Sequence, residues 1–348
     1  MKEKILIISS LLFFLITYGQ TNKFQSIMEQ YHKEKNFSGV ILVATEGKID
    51  YLSSIGMANR ETNIPLTPQS KFKIASMTKA FTAVLVMKLY EEGKIELNQT
   101  IGFYLSTYKG EAKDKVTIHH LLTYASGIEN LAEPIGMKSY QEKLTLDEYI
   151  DQYCSGKLIS SPGEKSTYSN TEYIILHKII ESVSHKKYED LLNEIIIKPL
   201  KMNNTGVLQS DKIMNSLTNS YTFDTQTKSF VKEEPYYIEN YFGAGNMYST
   251  AQDMLLFNNA FFGNKILSDN TTNKMLEINE NLGYTAYGFW GSTGWGTFNE
   301  KFYYRTGGIL GSCSNWINTL EKKKTIIILS NTDATNLYEM SAEIYQID

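Results

Sequence analysis

Phe72-Lys73-Ile74-Ala75-Ser76-Met77-Thr78-Lys79-Ala80-Phe81 is the stretch from which the rest of the chain can be read. Behind it, Ala80 to Leu89 is apolar nearly all round, which predicts a helix buried on most sides. That helix should end at Glu91-Glu92-Gly93, with Gly93 as its left-handed cap. Ahead of it, Thr62 to Gln69 holds two prolines and reads as loop. Inside it, Ser76 and Lys79 stand three residues apart, a spacing that places both on one helix face. The free backbone N–H groups of a helix start can hold a developing negative charge. A weak nucleophile, a base and oxyanion donors therefore converge on one turn. The spacing alone selects nothing, because Ser-x-x-Lys also occurs at Ser70–Lys73, Ser106–Lys109, Ser184–Lys187 and Ser229–Lys232.

Outward from this stretch the texture is strand, then helix, then strand. Phe24, Ile27, Met28 and Tyr31 recur at helical spacing. Gly39 to Ala44 and Ile49 to Ile55 read as a hairpin turning at Glu46-Gly47-Lys48. Helical patches follow at Val116 to Thr123, Leu144 to Cys154, a run through Val183 and Ala251 to Phe262. Ser169-Asn170-Thr171-Glu172 fits a capping box at the start of the third of these. Residues near 203–240 are polar, aromatic and without readable pattern. Tyr284 to Trp290, Phe302 to Tyr304, Ser314 to Ile317 and Thr325 to Leu329 then read as four short strands with glycine-rich turns. Strands at both ends with helices between predict an α+β fold. Its antiparallel sheet would be built from N- and C-terminal strands, with a mainly helical region inserted between them. The expected organisation is one catalytic domain over residues 22–348, its α/β part at about 22–75 and 284–348 and its helical insert at about 80–283.

Composition narrows the classes. With 42% hydrophobic and 21% charged residues, the 348-residue chain can bury a large core as an ordinary globular protein. A net charge of −4 gives no reason to expect nucleic acid or an anionic membrane surface as a partner. The N-terminus reads as a secretory signal peptide over residues 1–19: a basic start, an apolar run from Ile5 to Ile16, and small or polar residues around Gly19. That run is shorter than the roughly 20 residues a membrane span requires, so no stable span is expected after cleavage. The protein is thus expected to be exported, periplasmic or secreted. Cys154 and Cys313 lie in no metal-spaced cluster and are expected as separate thiols, a disulfide being the alternative.

Metal chemistry finds no footing. His32, His119, His120, His177 and His185 show no ligand spacing, so neither a metal nor a cofactor is expected. There is no Gly-x-Ser-x-Gly elbow, phosphate loop or dinucleotide fingerprint. What remains is Ser76/Lys79, Tyr168-Ser169-Asn170 and Arg305-Thr306-Gly307-Gly308. In this order the three motifs resemble those of the serine β-lactamase-related hydrolases, the group of class C β-lactamases, D-alanyl-D-alanine carboxypeptidases and β-lactamase-fold esterases. The resemblance runs from about Gly39 to Asn331 and takes in Pro162-Gly163, Pro199-Leu200 and Ser249-Thr250-Ala251-Gln252-Asp253.

The resemblance implies roles. Ser76 would be acylated, Lys79 and Tyr168 would share the proton transfers, and Asn170 would bond both Lys79 and the substrate. The N–H groups of Ser76 and Gly308 would form an oxyanion hole. Arg305, with Thr306 and Gly307, would bind the substrate, Arg305 offering its charge to a carboxylate. Two departures stand out: Arg305 replaces the usual lysine or histidine, and a histidine common near Tyr124 is absent. The implied partner is a small-molecule or peptide substrate, with β-lactam, D-alanyl peptide and ester all open. A catalytically impaired protein binding a cell-wall peptide or penicillin in the same cleft is the alternative. Oligomeric state is not legible.

Overall fold

The computed structural model describes residues 20–294 and 296–347. The signal peptide expected over residues 1–19 lies outside the described residues.

Seven antiparallel strands make one sheet. They are β1 (Gly39–Thr45), β2 (Lys48–Ile55), β3 (Thr285–Ala286), β4 (Phe289–Ser292), β5 (Phe302–Ile309), β6 (Ser312–Thr319) and β7 (Lys324–Ser330), in the spatial order β3-β4-β5-β6-β7-β1-β2. The first strand pairs with the last, Gly39 opposite Ser330 and Thr45 opposite Lys324, so the two chain ends close one sheet as the sequence pattern predicts. β1 is apolar without interruption because both of its faces are covered. Val40, Leu42 and Ala44 face one core, while Ile41 and Val43 face the other.

The second face is covered by α1 (residues 20–35) and a C-terminal helix, α7 (Leu337–Tyr345). Phe24, Met28 and Tyr31 meet Leu337, Met340 and Ile344 there, which accounts for the helical spacing near the N-terminus. The first face carries α2 (Thr78–Glu91), whose residues Thr78 to Met87 are all buried. Its all-round apolarity follows from this position: α5 (Thr171–Ser184) lies on one side, and on another Phe81 stacks on Phe257 of the helix that separates α2 from the sheet. Each fully buried leucine, valine or phenylalanine in that layer contributes about 1.5–3 kcal/mol. α2 is thus the rigid element that carries Lys79, with Ser76 in the turn immediately ahead of it. Gly93 caps its end at φ +70°, as expected. The remaining helical region includes α3 (Ile118–Leu122) and α4 (Leu146–Tyr153), and α6 (Ala251–Phe262) packs between α2 and the sheet.

Four elements differ from expectation. The strand read over Tyr284 to Trp290 is two, broken at Gly288, because α2 passes beneath it: a Cβ there would lie 2.8 Å from Ala83 Cβ. The strand read over Phe302 to Tyr304 runs on to Ile309, so Arg305 to Gly308 are strand residues rather than a turn. Tyr221–Asp224 and Ser229–Lys232 form a hairpin in the region that reads as irregular. The capping box at α5 is made only in part: Ser169 Oγ accepts the Thr171 N–H at 3.0 Å, but Asn170 occupies the cap position without a side-chain cap bond and Glu172 accepts from Ser126 Oγ at 2.7 Å. Both cysteines are free thiols. No helix among the described residues is long and apolar enough to cross a membrane.

Candidate active site

Ser76 sits in a 3₁₀ turn, Ala75–Met77, immediately ahead of α2. The turn is set by Ala75, which holds φ at +47°, a conformation that costs an alanine about 1–3 kcal/mol. Neighbours hold it there. Ile74 donates its N–H to Met247 O at 3.0 Å, and its carbonyl accepts from Met77 N–H at 3.1 Å and Ser314 Oγ at 3.0 Å. Phe72–Lys73 pairs with Met247–Ser249 in a small three-stranded sheet that steadies the approach. Ser76 is therefore held in a strained turn rather than used as a helix cap.

Lys79 is fully buried, and its ammonium has four acceptors: Asn170 Oδ1 at 2.7 Å, Ala244 O at 2.8 Å, Tyr168 OH at 2.9 Å and Ser76 Oγ at 3.1 Å. The Tyr168 hydroxyl lies 2.6 Å from Ser76 Oγ, closing a triangle of serine, lysine and tyrosine. Tyr168 as a residue is 46% exposed, while its hydroxyl is bonded inward among these groups. Burial, with Arg305 close by, pushes Lys79 down to about 8, against the pull of Tyr168. Burial pushes the Tyr168 phenol the other way, but the Lys79 and Arg305 charges prevail and bring it down to about 8. The two groups therefore titrate as a pair, within reach of Ser76 Oγ.

β5 borders this triangle. Gly307 is packed against it so closely that a Cβ would meet Ile74 O at 2.3 Å, Ser314 Oγ at 2.5 Å and Ser76 N at 3.0 Å. Gly308 has open space where its Cβ would be, and Thr306 is exposed. Arg305 is placed differently from expectation. It is fully buried, donating from Nε to Ser76 O at 2.8 Å, from Nη1 to Tyr124 OH at 2.8 Å and from Nη2 to Tyr168 OH at 3.4 Å. Its guanidinium lies 4.6 Å from the Trp290 ring centre. With its nitrogens spent on the protein, it is not free to meet a substrate carboxylate. Burial opposes its charge but the surrounding tyrosines favour it more, so it stays cationic.

The structure thus brings Ser76, Lys79, Tyr168, Asn170, Gly307 and Arg305 together, with Thr306 and Gly308 on the open side of β5. It adds three groups that the sequence does not announce. Tyr124 and Trp290 clamp Arg305, and the Ala244 carbonyl accepts from Lys79. Ala244 lies in the Gly243-Ala244-Gly245 run, whose small residues signal only a turn. Tyr124 and Trp290 have no spacing relation to any motif. An apolar wall of Leu208, Ile238 and Ile309 packs beside Ala75, with Tyr236 and Tyr241 against it.

The Beta-lactamase family profile matches residues 24–347. Penicillin-binding protein 4* of Bacillus subtilis (strain 168) is 27% identical over 336 residues, covering 91% of this chain and 73% of that protein. Teichoic acid D-alanine hydrolase of Staphylococcus aureus is 26% identical over 279 residues, covering 79% of this chain and 68% of that one. A penicillin-binding protein from Bacillus halodurans shares the fold with a TM-score of 0.80 at 23% identity, covering 93% of this chain and 99% of that one. Architecture and family together define a serine hydrolase of the β-lactamase and penicillin-binding-protein fold. The chain belongs to the Beta-lactamase family.

Proposed function

We propose that the protein is an exported serine hydrolase that works through an acyl-enzyme at Ser76 on a peptide, amide or ester, with residues 22–348 acting as one catalytic domain. The observation that carries this reading is the closed triangle of Ser76 Oγ, Lys79 Nζ and Tyr168 OH at 2.6–3.1 Å. Tyr168 and Lys79, holding one mobile proton between them, take the Ser76 proton as Oγ attacks the carbonyl. The same pair returns a proton to the leaving amine or alcohol, and water later releases the acyl group. Asn170, bonded to Lys79 at 2.7 Å and holding its amide nitrogen 3.4 Å from Tyr140 OH, orients the ammonium and receives the substrate amide or ester. The N–H groups of Ser76 and Gly308 face the developing oxyanion, a contribution of about 2.7–4 kcal/mol in such sites. The name of the Staphylococcus aureus relative, a D-alanine hydrolase, supports D-alanyl esters and amides as the substrates to try first.

Purified protein incubated with a fluorophosphonate, a penicillin and a short p-nitrophenyl ester should gain covalent mass at Ser76 with at least one of them. Ser76→Ala should lose both the adduct and ester turnover while keeping its melting temperature. No adduct with any of the three, together with ligand binding untouched by Ser76→Ala, would favour the binding-protein alternative instead.

A further inference from the structure

Arg305, which replaces the usual lysine or histidine, touches Tyr124, near which a histidine common in the family is absent. Tyr124 is buried to 1% exposure and holds φ at +56°, a conformation that bulky residues rarely adopt. From that position it reaches both later motifs. Its hydroxyl accepts from Arg305 Nη1 at 2.8 Å, and its carbonyl accepts the Thr167 N–H at 2.9 Å, one residue before Tyr168. Its ring lies 5.0 Å from that of Tyr168 and stacks on Trp290 at 5.8 Å and 9°. Trp290 in turn lies under the guanidinium. We propose that Tyr124 is a positioning residue for the hydrolytic reaction, holding the Arg305 guanidinium against the Tyr168 hydroxyl and the Tyr168 backbone against the cleft.

The proposal rests on reading Tyr168 as the proton acceptor. Its physical basis is the shape of the guanidinium. A planar fork serves Ser76 O, Tyr124 OH and Tyr168 OH at once, whereas a lysine ammonium is a point charge on a flexible stem. Without the Tyr124 hydroxyl, Nη1 is left unpaired in a buried site, and the guanidinium reorients to recover a partner. Its charge then moves off Tyr168. The other groups facing Tyr168 stay in place: Lys79 on α2, Ser76 in the turn ahead of it, and Tyr173 on α5, with Glu172 coupled to Lys79. Of these, the Lys79 charge and the Ser76 hydroxyl also favour the phenolate, and burial holds Glu172 toward its neutral form. Loss of the Arg305 contribution therefore moves Tyr168 ionisation to higher pH.

The direct test needs no substrate. Phenolate absorbance is titrated in the wild-type protein and in Tyr168→Phe, and the difference isolates Tyr168; the pair is then repeated in a Tyr124→Phe background. The expected result is ionisation of Tyr168 about one pH unit higher when the Tyr124 hydroxyl is gone. In ester hydrolysis the same change should lower kcat about tenfold with KM nearly unchanged, and move the acid limb of the rate profile upward. Arg305→Lys should reproduce both effects, and Tyr124→Phe added to Arg305→Lys should cost less than about twofold more. An unshifted titration overturns the proposal, as do additive costs or a loss of activity without movement of the limb. Should Tyr124→Phe fail to fold, Arg305→Lys answers by the same titration. Absence of any turnover in the wild type would refute the hydrolase reading while leaving the titration to decide this one.

Discussion

Gly307→Ala is the substitution whose outcome follows most directly from the coordinates. The added methyl would sit 2.3 Å from Ile74 O, 2.5 Å from Ser314 Oγ and 3.0 Å from Ser76 N, where ordinary contact begins at 3.4 Å. Two of those atoms belong to the backbone of the Ser76 turn, which is pinned by Met247 and Met77 and cannot retreat. β5 must therefore move away from the turn by about 1 Å, a displacement that can cost on the order of 100-fold in rate when it separates catalytic partners. That factor corresponds to about 2.7 kcal/mol of transition-state stabilisation, within the range for loss of one oxyanion donor. Overpacking should also cost about 1–3 kcal/mol of stability. Gly308→Ala is the internal control, since its methyl meets nothing within 4 Å. The assay is kcat for a short p-nitrophenyl ester, with intact-mass acylation by a fluorophosphonate and a thermal melt beside it. The expected ranking is a large loss for Gly307→Ala and a well-folded protein with a smaller change for Gly308→Ala. Gly307→Ala with kcat within threefold of the wild type and an unmoved melt would refute the claim that this close approach sets the site.

Three further outcomes are expected. kcat/KM for an ester should climb as pH rises through about 8, because the Lys79–Tyr168 pair must lose one proton to act as base; a flat profile from pH 6 to about 9 would contradict that pairing. Asn170→Ala removes the acceptor 2.7 Å from the Lys79 ammonium, so the charged form is less favoured. Its acid limb should move to lower pH while kcat falls about tenfold, the opposite limb movement to that of Tyr124→Phe. Trp316→Ala should cost about 3–5 kcal/mol in urea unfolding, because the indole is 1% exposed, packs on Phe257 and Phe289, and donates to Asn258 Oδ1 at 2.9 Å.

Much of the architecture is legible because burial leaves plain patterns. The apolar runs of β1 and β7, the helix apolar on every side and the glycine that ends it each have one structural solution. The hairpin at 221–232 escapes because its Thr225-Gln226-Thr227-Lys228 turn contains no glycine and only Tyr221 of its strand residues is buried. Gly307 and Gly308 look like turn residues in one dimension, and only the closeness of Gly307 to Ile74 O shows that a glycine is needed there inside a strand. For Asn170 the expected bond to Lys79 comes from the resemblance alone, because the ammonium that its side chain meets is far away in sequence. Arg305 is the clearest limit. Its residue type suggests a cation offered to substrate, yet its environment is made by Tyr124, Tyr168 and Trp290, which come from three separate segments.

The pairing of the first strand with the last also has a temporal side. β1 fills its place between β2 and β7 only when Lys324–Ser330 has been made, and β5, which borders Ser76, needs β6 beside it. Ser76, Lys79, Tyr168 and Asn170 are all synthesised well before that. A ribosome-bound chain that stops short of residue 302 carries those four residues and still lacks Arg305, Gly307 and Gly308. Closure over so long a span is slow compared with local helix formation. The candidate site can therefore assemble only as the stretch from Phe302 to Ser330 joins the sheet.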